Sequence, residues 1–230
     1  MGLMGAGKSA VGERLAARLG WPFADTDREV ERALSMPVAE IFARSGEARF
    51  RAEEAAAFLR IAEEPGDAVV ALGGGAVLDP STRRRLVETG RAVWLRAAPE
   101  VLAARAGRPG GAQSVSGAGG GGAERPLLAG LDGAGRAERL ARLLSERGPL
   151  YDEVAHRTAD TDALPADSVA GEIAAWVRSR RSVRVDLRER SYDVVVEPGG
   201  LAFLGRRMRE VGIPRGRCGV ASDRNVGVLH

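Results

Sequence analysis

The spacing of hydrophobic positions changes along the chain, and the changes divide it. Val11, Leu15 and Leu19 recur at i, i+4 and i+8, which predicts an amphipathic helix closed by Gly20. A short apolar stretch, Trp21 to Ala24, then runs into Asp25-Thr26-Asp27. Helical patterns follow over about 28–35, 37–44 and 47–62. Ala68 to Leu72 is a continuous apolar run, as expected of a strand buried on both faces, and it ends in Gly73-Gly74-Gly75. Pro80 suits the first turn of a helix reaching about Glu88, Ala92 to Leu95 is a second buried strand, and Pro99 opens another helix. Helices near 134–147 and 166–178 complete this segment. Helices alternating with short apolar strands predict an α/β fold, a parallel sheet flanked by helices.

Two stretches break the pattern. Residues 107–123 are low in complexity and rich in glycine, which fits either a flexible insertion or part of a mobile lid. After the basic run Arg178 to Ser182, the period becomes two. Val183 to Leu187 and Tyr192 to Val196 both alternate, which predicts an antiparallel hairpin. A helix near 200–211 and a strand near 218–221 follow. The stretch 183–230 is too short for a core of any size. The expected organisation is a main domain over 1–178, a basic linker at 179–182, and the incomplete opening of a second, partial α/β domain over 183–230.

Composition narrows the classes. Of 230 residues, 44% are apolar and 28% charged, a globular profile. No apolar run approaches the ~20 residues of a membrane span, and no basic-then-apolar leader opens the chain. The single cysteine, Cys218, excludes an internal disulfide framework and a Cys-based zinc site, and a cytoplasmic home is expected. Of the 34 basic residues only Lys8 is a lysine, so a compact ammonium is kept where a planar guanidinium does not substitute. Residues 1–177 carry a net −3 and residues 178–230 a net +6. With 4% aromatic residues and no zinc-finger or stacking motif, nucleic acid is not the expected partner.

The motifs carry the chemistry. Gly2-Leu3-Met4-Gly5-Ala6-Gly7-Lys8-Ser9 fits G-x-x-x-x-G-K-[ST], a loop whose backbone N–H groups converge on phosphate. Lys8 would reach the β- and γ-phosphates and the Ser9 hydroxyl would ligate Mg²⁺. Asp25 and Asp27, two apart, would point the same way from an extended chain, one toward hydrated Mg²⁺ and one toward a hydroxyl proton; a helix cap is the alternative. Arg51 and Glu54 at i, i+3 form either a held guanidinium for a substrate carboxylate or a solvated charged face. Gly73 to Gly75 lies beyond the carboxyl end of a strand, where α/β sheets bind ligands, and is otherwise a tight turn. Arg125-Pro126-Leu127-Leu128 and Arg147-Gly148-Pro149-Leu150-Tyr151 each set an arginine beside a proline-fixed bend.

In this order the motifs resemble the shikimate kinase family over residues 2–178. The resemblance implies a phosphate-loop kinase fold with strand order 2-3-1-4-5, ATP and Mg²⁺, and phosphoryl transfer to shikimate in chorismate biosynthesis by a monomeric domain. It implies that Asp27, Arg51, Gly73, Gly74, Gly75 and Arg147 bind shikimate, with Asp27 the base. Gly5, Ala6, Gly7, Lys8, Ser9 and Ala10 would hold the nucleotide, Arg105 would stack on adenine, and Arg125 on a lid would close over the phosphates. Lys8, Asp27 and Arg125 would be catalytic, and Ser9 and Asp25 would attend the metal. Residues 183–230 resemble the opening of 3-dehydroquinate synthase, where Asp223 and Asn225 would touch NAD. In that family the zinc ligands and most of the NAD site would lie downstream of His230, so no synthase activity is expected.

Three departures accompany the resemblance. The family's first, central strand would precede Gly2, so its neighbours are expected to lack backbone partners, with about eight more residues upstream. The stretch Arg105 to Arg125 is about a dozen residues longer than the family's usual lid, at a closure cost of only fractions of a kcal/mol. The tail would expose strand edges. Two further readings stay open: another small-metabolite kinase such as a gluconate kinase, and a nucleotide-binding fragment without turnover.

Overall fold

The computed structural model describes residues 1–107 and 126–179, and the backbone of 181–185 and 192–196. Helix α1 (Lys8–Leu19) follows the phosphate-loop motif and ends at Gly20, whose φ of 72° is the left-handed cap. Strand β1 (Phe23–Asp25) leads into α2 (Thr26–Leu34) and α3 (Val38–Glu63). Strand β2 (Val69–Ala71) precedes the three glycines and a 3-10 turn at Ala76–Leu78. Helix α4 (Pro80–Thr89) and α5 (Pro99–Ala106) each carry proline in the first turn, and Asp79 caps α4 by accepting from the Thr82 N–H at 2.7 Å. They flank β3 (Val93–Arg96). Then come α6 (Gly133–Val154), β4 (Arg157–Asp160) and α7 (Ala166–Ser179).

The strands run parallel in two pairs, β1 with β2 and β3 with β4. The backbone of Met1 lies along β3. Its ammonium donates to the Val93 carbonyl at 3.0 Å, and the Leu95 N–H donates to the Met1 carbonyl at 2.9 Å. The β3 edge is therefore not left wholly without partners as expected: one residue answers two of its backbone groups. Burial, with a smaller push from Lys8, lowers the Met1 ammonium to about 5.

Two cores form. The larger packs Leu3, Val77, Leu102, Leu140, Tyr151 and Ile173 between the strands and the outer helices. The smaller, of Val30, Ile41, Phe50 and Ala57, belongs to α2 and α3 alone. Among the described residues, no helix is long and apolar enough to cross a membrane.

Several elements differ from expectation. Helix α2 starts at Thr26, two residues early, because the Asp25 side chain accepts from the Asp27 N–H. The two patterns at 37–44 and 47–62 are borne out as two helical stretches within α3, separated by a kink at Gly46, where φ is 78° and ψ 169°. Helix α6 continues through Pro149 to Val154, so Arg147 stands inside a helix and not at a turn. Interior proline costs ~3 kcal/mol, and the fully buried Tyr151 and Val154 anchor the last turn against it. Strand β4 was not foreseen, since Arg157-Thr-Ala-Asp160 has no strand composition. The hairpin is antiparallel, with β5 (Arg181–Val185) beginning two residues early and β6 (Tyr192–Val196) in place. Residues 107–123 fall outside the described residues beyond Gly107, as do the expected helix at 200–211, the strand at 218–221, and Asp223 and Asn225.

Candidate active site

The phosphate loop wraps the N-terminus of α1. Gly2, Gly5 and Gly7 have φ of 143°, 85° and 84°. Gly5 also lies against α5, where a Cβ would meet the Leu102 carbonyl oxygen at 2.6 Å. Gly7 caps α1 without any side-chain hydrogen bond, so the first N–H groups of the helix, over Lys8, Ser9 and Ala10, meet the loop with the positive end of the dipole. The Lys8 ammonium folds back to donate to the Leu3 carbonyl at 3.3 Å, and Ala6 is buried beneath. The arrangement is an anion cradle.

Ser9 and Asp25 meet at its side. The Ser9 hydroxyl donates to Asp25 Oδ2 at 2.6 Å, while Asp25 Oδ1 caps α2. The pair offers hard oxygen donors beside the cradle. That set fits a small divalent cation which keeps phosphate and water as its other ligands. Against the expectation of an extended chain through both carboxylates, Asp27 does not share a strand with Asp25; it stands in the first turn of α2. Burial raises its carboxyl to about 7, with Glu54 and Asp25 adding to the rise and Lys8 and Arg51 opposing it.

The three glycines join this half to the rest, each admitting something a side chain would exclude. A Cβ on Gly73 would stand 1.7 Å from Glu54 Oε1 and 2.8 Å from Asp27 Oδ1. One on Gly74 would stand 3.2 Å from the Gly2 carbonyl oxygen, in the phosphate loop. One on Gly75 would stand 2.2 Å from the Arg51 guanidinium carbon. The Gly73 N–H is already spent on the Thr26 hydroxyl at 3.0 Å. It is not part of an open backbone cradle.

Arg51 is held rather than solvated. Its guanidinium donates to Glu54 Oε2 at 2.7 Å and to Glu47 at 3.0 and 3.2 Å, and lies over the Phe50 ring. Burial works against its charge, yet the two glutamates hold its pKa raised. Glu54 is fully buried; burial raises its carboxyl against the pull of Arg51, and its Oε1 has no hydrogen-bond partner. Arg147, from α6, is 5% exposed and donates to the Gly74 carbonyl at 3.1 Å. A carboxylate between Arg51 and Arg147 would meet two guanidinium groups in partly dry surroundings, and a hydroxyl beside Asp27 would meet a buried carboxyl near neutrality.

Arg105 stands elsewhere, on α5, donating to the Thr161 and Asp162 carbonyls at 2.5 and 3.1 Å. Arg125 lies outside the described residues. The structure thus gathers Lys8, Ser9, Asp25, Asp27, Arg51, Gly73, Gly74, Gly75 and Arg147 around one turn. Sequence reasoning gave no role to Thr26 or Tyr151, which hold that turn at the Gly73 N–H and the Gly74 carbonyl. Tyr151 ended a quoted motif, but nothing in the sequence aims its hydroxyl.

Comparison with known proteins gives the family and the fold. The sequence model of shikimate kinase matches residues 4–178. The shikimate kinase of Symbiobacterium thermophilum is 44% identical over 180 residues, covering 78% of this chain and 95% of that protein. That of Moorella thermoacetica is 42% identical, covering 78% and 95%. Among solved structures, shikimate kinase from Acinetobacter baumannii in complex with shikimate superposes with a TM-score of 0.67 at 34% identity, over 77% of this chain and 90% of that one. The Bacteroides thetaiotaomicron enzyme gives 0.65 at 27%, over 77% and 96%. With its phosphate loop, its parallel strands and its motifs in this order, the chain belongs to the shikimate kinase family.

Proposed function

We propose that the chain transfers the γ-phosphoryl group of ATP to the 3-hydroxyl of shikimate, giving ADP and shikimate 3-phosphate, a step of aromatic amino acid biosynthesis. The observation that carries this reading is the turn Gly73–Gly75, on which Asp27, Glu54, Arg51, Arg147 and the phosphate loop converge. Arg51 and Arg147 grip the carboxylate and fix the ring. Asp27 accepts the proton of the hydroxyl as its oxygen attacks the γ-phosphorus and the bond to ADP breaks. Lys8 and the N-terminus of α1 hold the β- and γ-phosphates, so most of the acceleration comes from positioning and charge neutralisation. Ser9 and Asp25 would hold Mg²⁺, which neutralises phosphate charge when bound. Arg105 is assigned to the adenine and Arg125 to the closing of the lid, which excludes competing water. The kinase part, 1–178, acts as a monomer in the cytoplasm. The remaining stretch, 183–230, is read as the opening of a 3-dehydroquinate synthase-like segment, a reading its antiparallel hairpin supports.

Phosphorus NMR of the product tests the assignment. With ATP, Mg²⁺ and shikimate, a phosphomonoester coupled to the C3 proton is expected; with gluconate in place of shikimate, none. Phosphorylation of gluconate at a comparable rate would replace this function with the related one. Tight ATP binding without any phosphomonoester would leave a nucleotide-binding fragment.

A further inference from the structure

The kinase assignment does not use Tyr151, yet no side chain in the site is more enclosed. Its exposure is 0%, and its ring stacks on Trp94 of β3 with centroids 5.5 Å apart. The hydroxyl donates to the Gly74 carbonyl at 2.5 Å. That carbonyl also accepts from the Arg147 guanidinium at 3.1 Å. Tyr151 and Arg147 stand four residues apart on α6, on one face, and they meet again at one oxygen. A carbonyl oxygen has two lone pairs, so both donors are accommodated together. Burial pushes the Tyr151 hydroxyl far above its ordinary range, which keeps it a donor at any working pH.

Resting on the function proposed above, we propose that Tyr151 is the positioning residue that aims the Arg147 guanidinium at the substrate carboxylate, by fixing the Gly74 carbonyl on which both side chains converge. A guanidinium has five donors in a rigid plane. One N–H bound to a fixed carbonyl sets the plane, and the opposite edge stays available for a bidentate grip. Gly74 cannot drift the other way, because the phosphate loop backbone lies against it. The Trp94 ring seats the tyrosine, so the aim of Arg147 is referred to β3 rather than to a mobile loop. Without the hydroxyl, the carbonyl keeps Arg147 as its donor but loses its fixed position. The loss should fall on carboxylate binding, and neither on ATP nor on the chemical step.

Steady-state kinetics of Tyr151→Phe test this, with shikimate and with its methyl ester, which lacks the anion. The variant keeps the ring stack, so its melting temperature should stay within a few degrees. The expected result is a KM for shikimate raised about fivefold, with the KM for ATP and kcat changed less than twofold. With the ester, wild type and variant should differ by less than twofold. An unchanged KM for shikimate, an equal rise in the KM for ATP, or the same fivefold effect with the ester would each overturn the proposal. If Tyr151→Phe does not fold, Trp94→Phe loosens the ring's seat and keeps the hydroxyl. It must still raise the KM for shikimate above any change for ATP, and equal changes would overturn the inference. A wild-type chain without shikimate-dependent turnover would sink the function itself. An active wild type with an indifferent Tyr151→Phe would sink only the role of Tyr151.

Discussion

Glu54 gives the sharpest contrast between two substitutions at one atom. Its side chain is fully buried, one carboxylate oxygen holds Arg51 at 2.7 Å, and the other, without a partner, shares the empty Cβ space of Gly73 with Asp27. Replacing it by Ala removes one member of a buried ion pair. Such a break costs about 3–5 kcal/mol when the remaining charge is stranded. Here the Arg51 side chain keeps Glu47 at 3.0 Å and is 19% exposed, so ~2–3 kcal/mol is expected. For a domain of this size that is a fall of about 4–12 °C in melting temperature. Gln is different. Its carbonyl still accepts from Arg51, and its amide takes the place of the partnerless oxygen, where Asp27 can accept from it. The new hydrogen bond offsets the weakened one, and a stability change under ~1 kcal/mol is expected. Thermal melts at pH 7.5 on Glu54→Ala, Glu54→Gln and the parent read the difference. Equal losses in both variants, or a neutral Ala, would refute the account of Glu54 as a buried anchor with one oxygen to spare.

Gly46 breaks α3 at a φ of 78° and ψ of 169° with no atom near its Cβ position, so Gly46→Ala should cost ~1–3 kcal/mol through the backbone alone, read as a lower melting temperature. Gly75 has an ordinary φ of −104°, but a Cβ there would meet the Arg51 guanidinium. Gly75→Ala should therefore keep the fold and lower kcat/KM for shikimate by about 10–100-fold, with the KM for ATP as the control. Two buried groups give stability slopes of opposite sign. Asp27, raised to about 7, contributes stability below its unfolded value near 3.8, and this is lost as pH rises through 7. The Met1 ammonium, lowered to about 5, contributes stability above 8, and this is lost as pH falls through 5. Asp27→Asn should remove the first slope and uncover the second, a gain of about 3 kcal/mol in denaturant unfolding from pH 5 to 8. A flat profile in that variant would contradict the burial of the amine. In the active enzyme, shikimate turnover should fall as pH drops below about 7, where Asp27 takes up its proton.

Much of this is written locally. Gly20, Pro80 and Pro99 mark helix ends by backbone geometry, and the structure has helices ending or starting there. Arg51 and Glu54 were readable as neighbours from their spacing, though their burial was not, because the spacing alone does not say which face of α3 meets the glycine turn. The extent of α6 was hidden by Pro149, whose local penalty is overruled by the packing of Tyr151 and Val154. Strand β4 was hidden because its strand character comes from pairing with β3, not from its own residues. The cap at the start of α2 was one of two readings of Asp25-Thr26-Asp27, and the fold selects it, with Asp25 accepting from the Asp27 N–H. The hydrogen bonds of Thr26 and Tyr151 to the turn span 47 and 77 residues of chain, and no local pattern encodes such distances.

The most direct test of the central claim is a coupled ADP-release assay on the chain 1–230, with and without shikimate, beside Lys8→Ala and Arg51→Ala. Shikimate-dependent release is expected in the parent, with loss of at least 100-fold in kcat/KM in both variants, about 3 kcal/mol of transition-state stabilisation each. Release that ignores shikimate, or that survives the loss of Arg51 unchanged, would contradict the account.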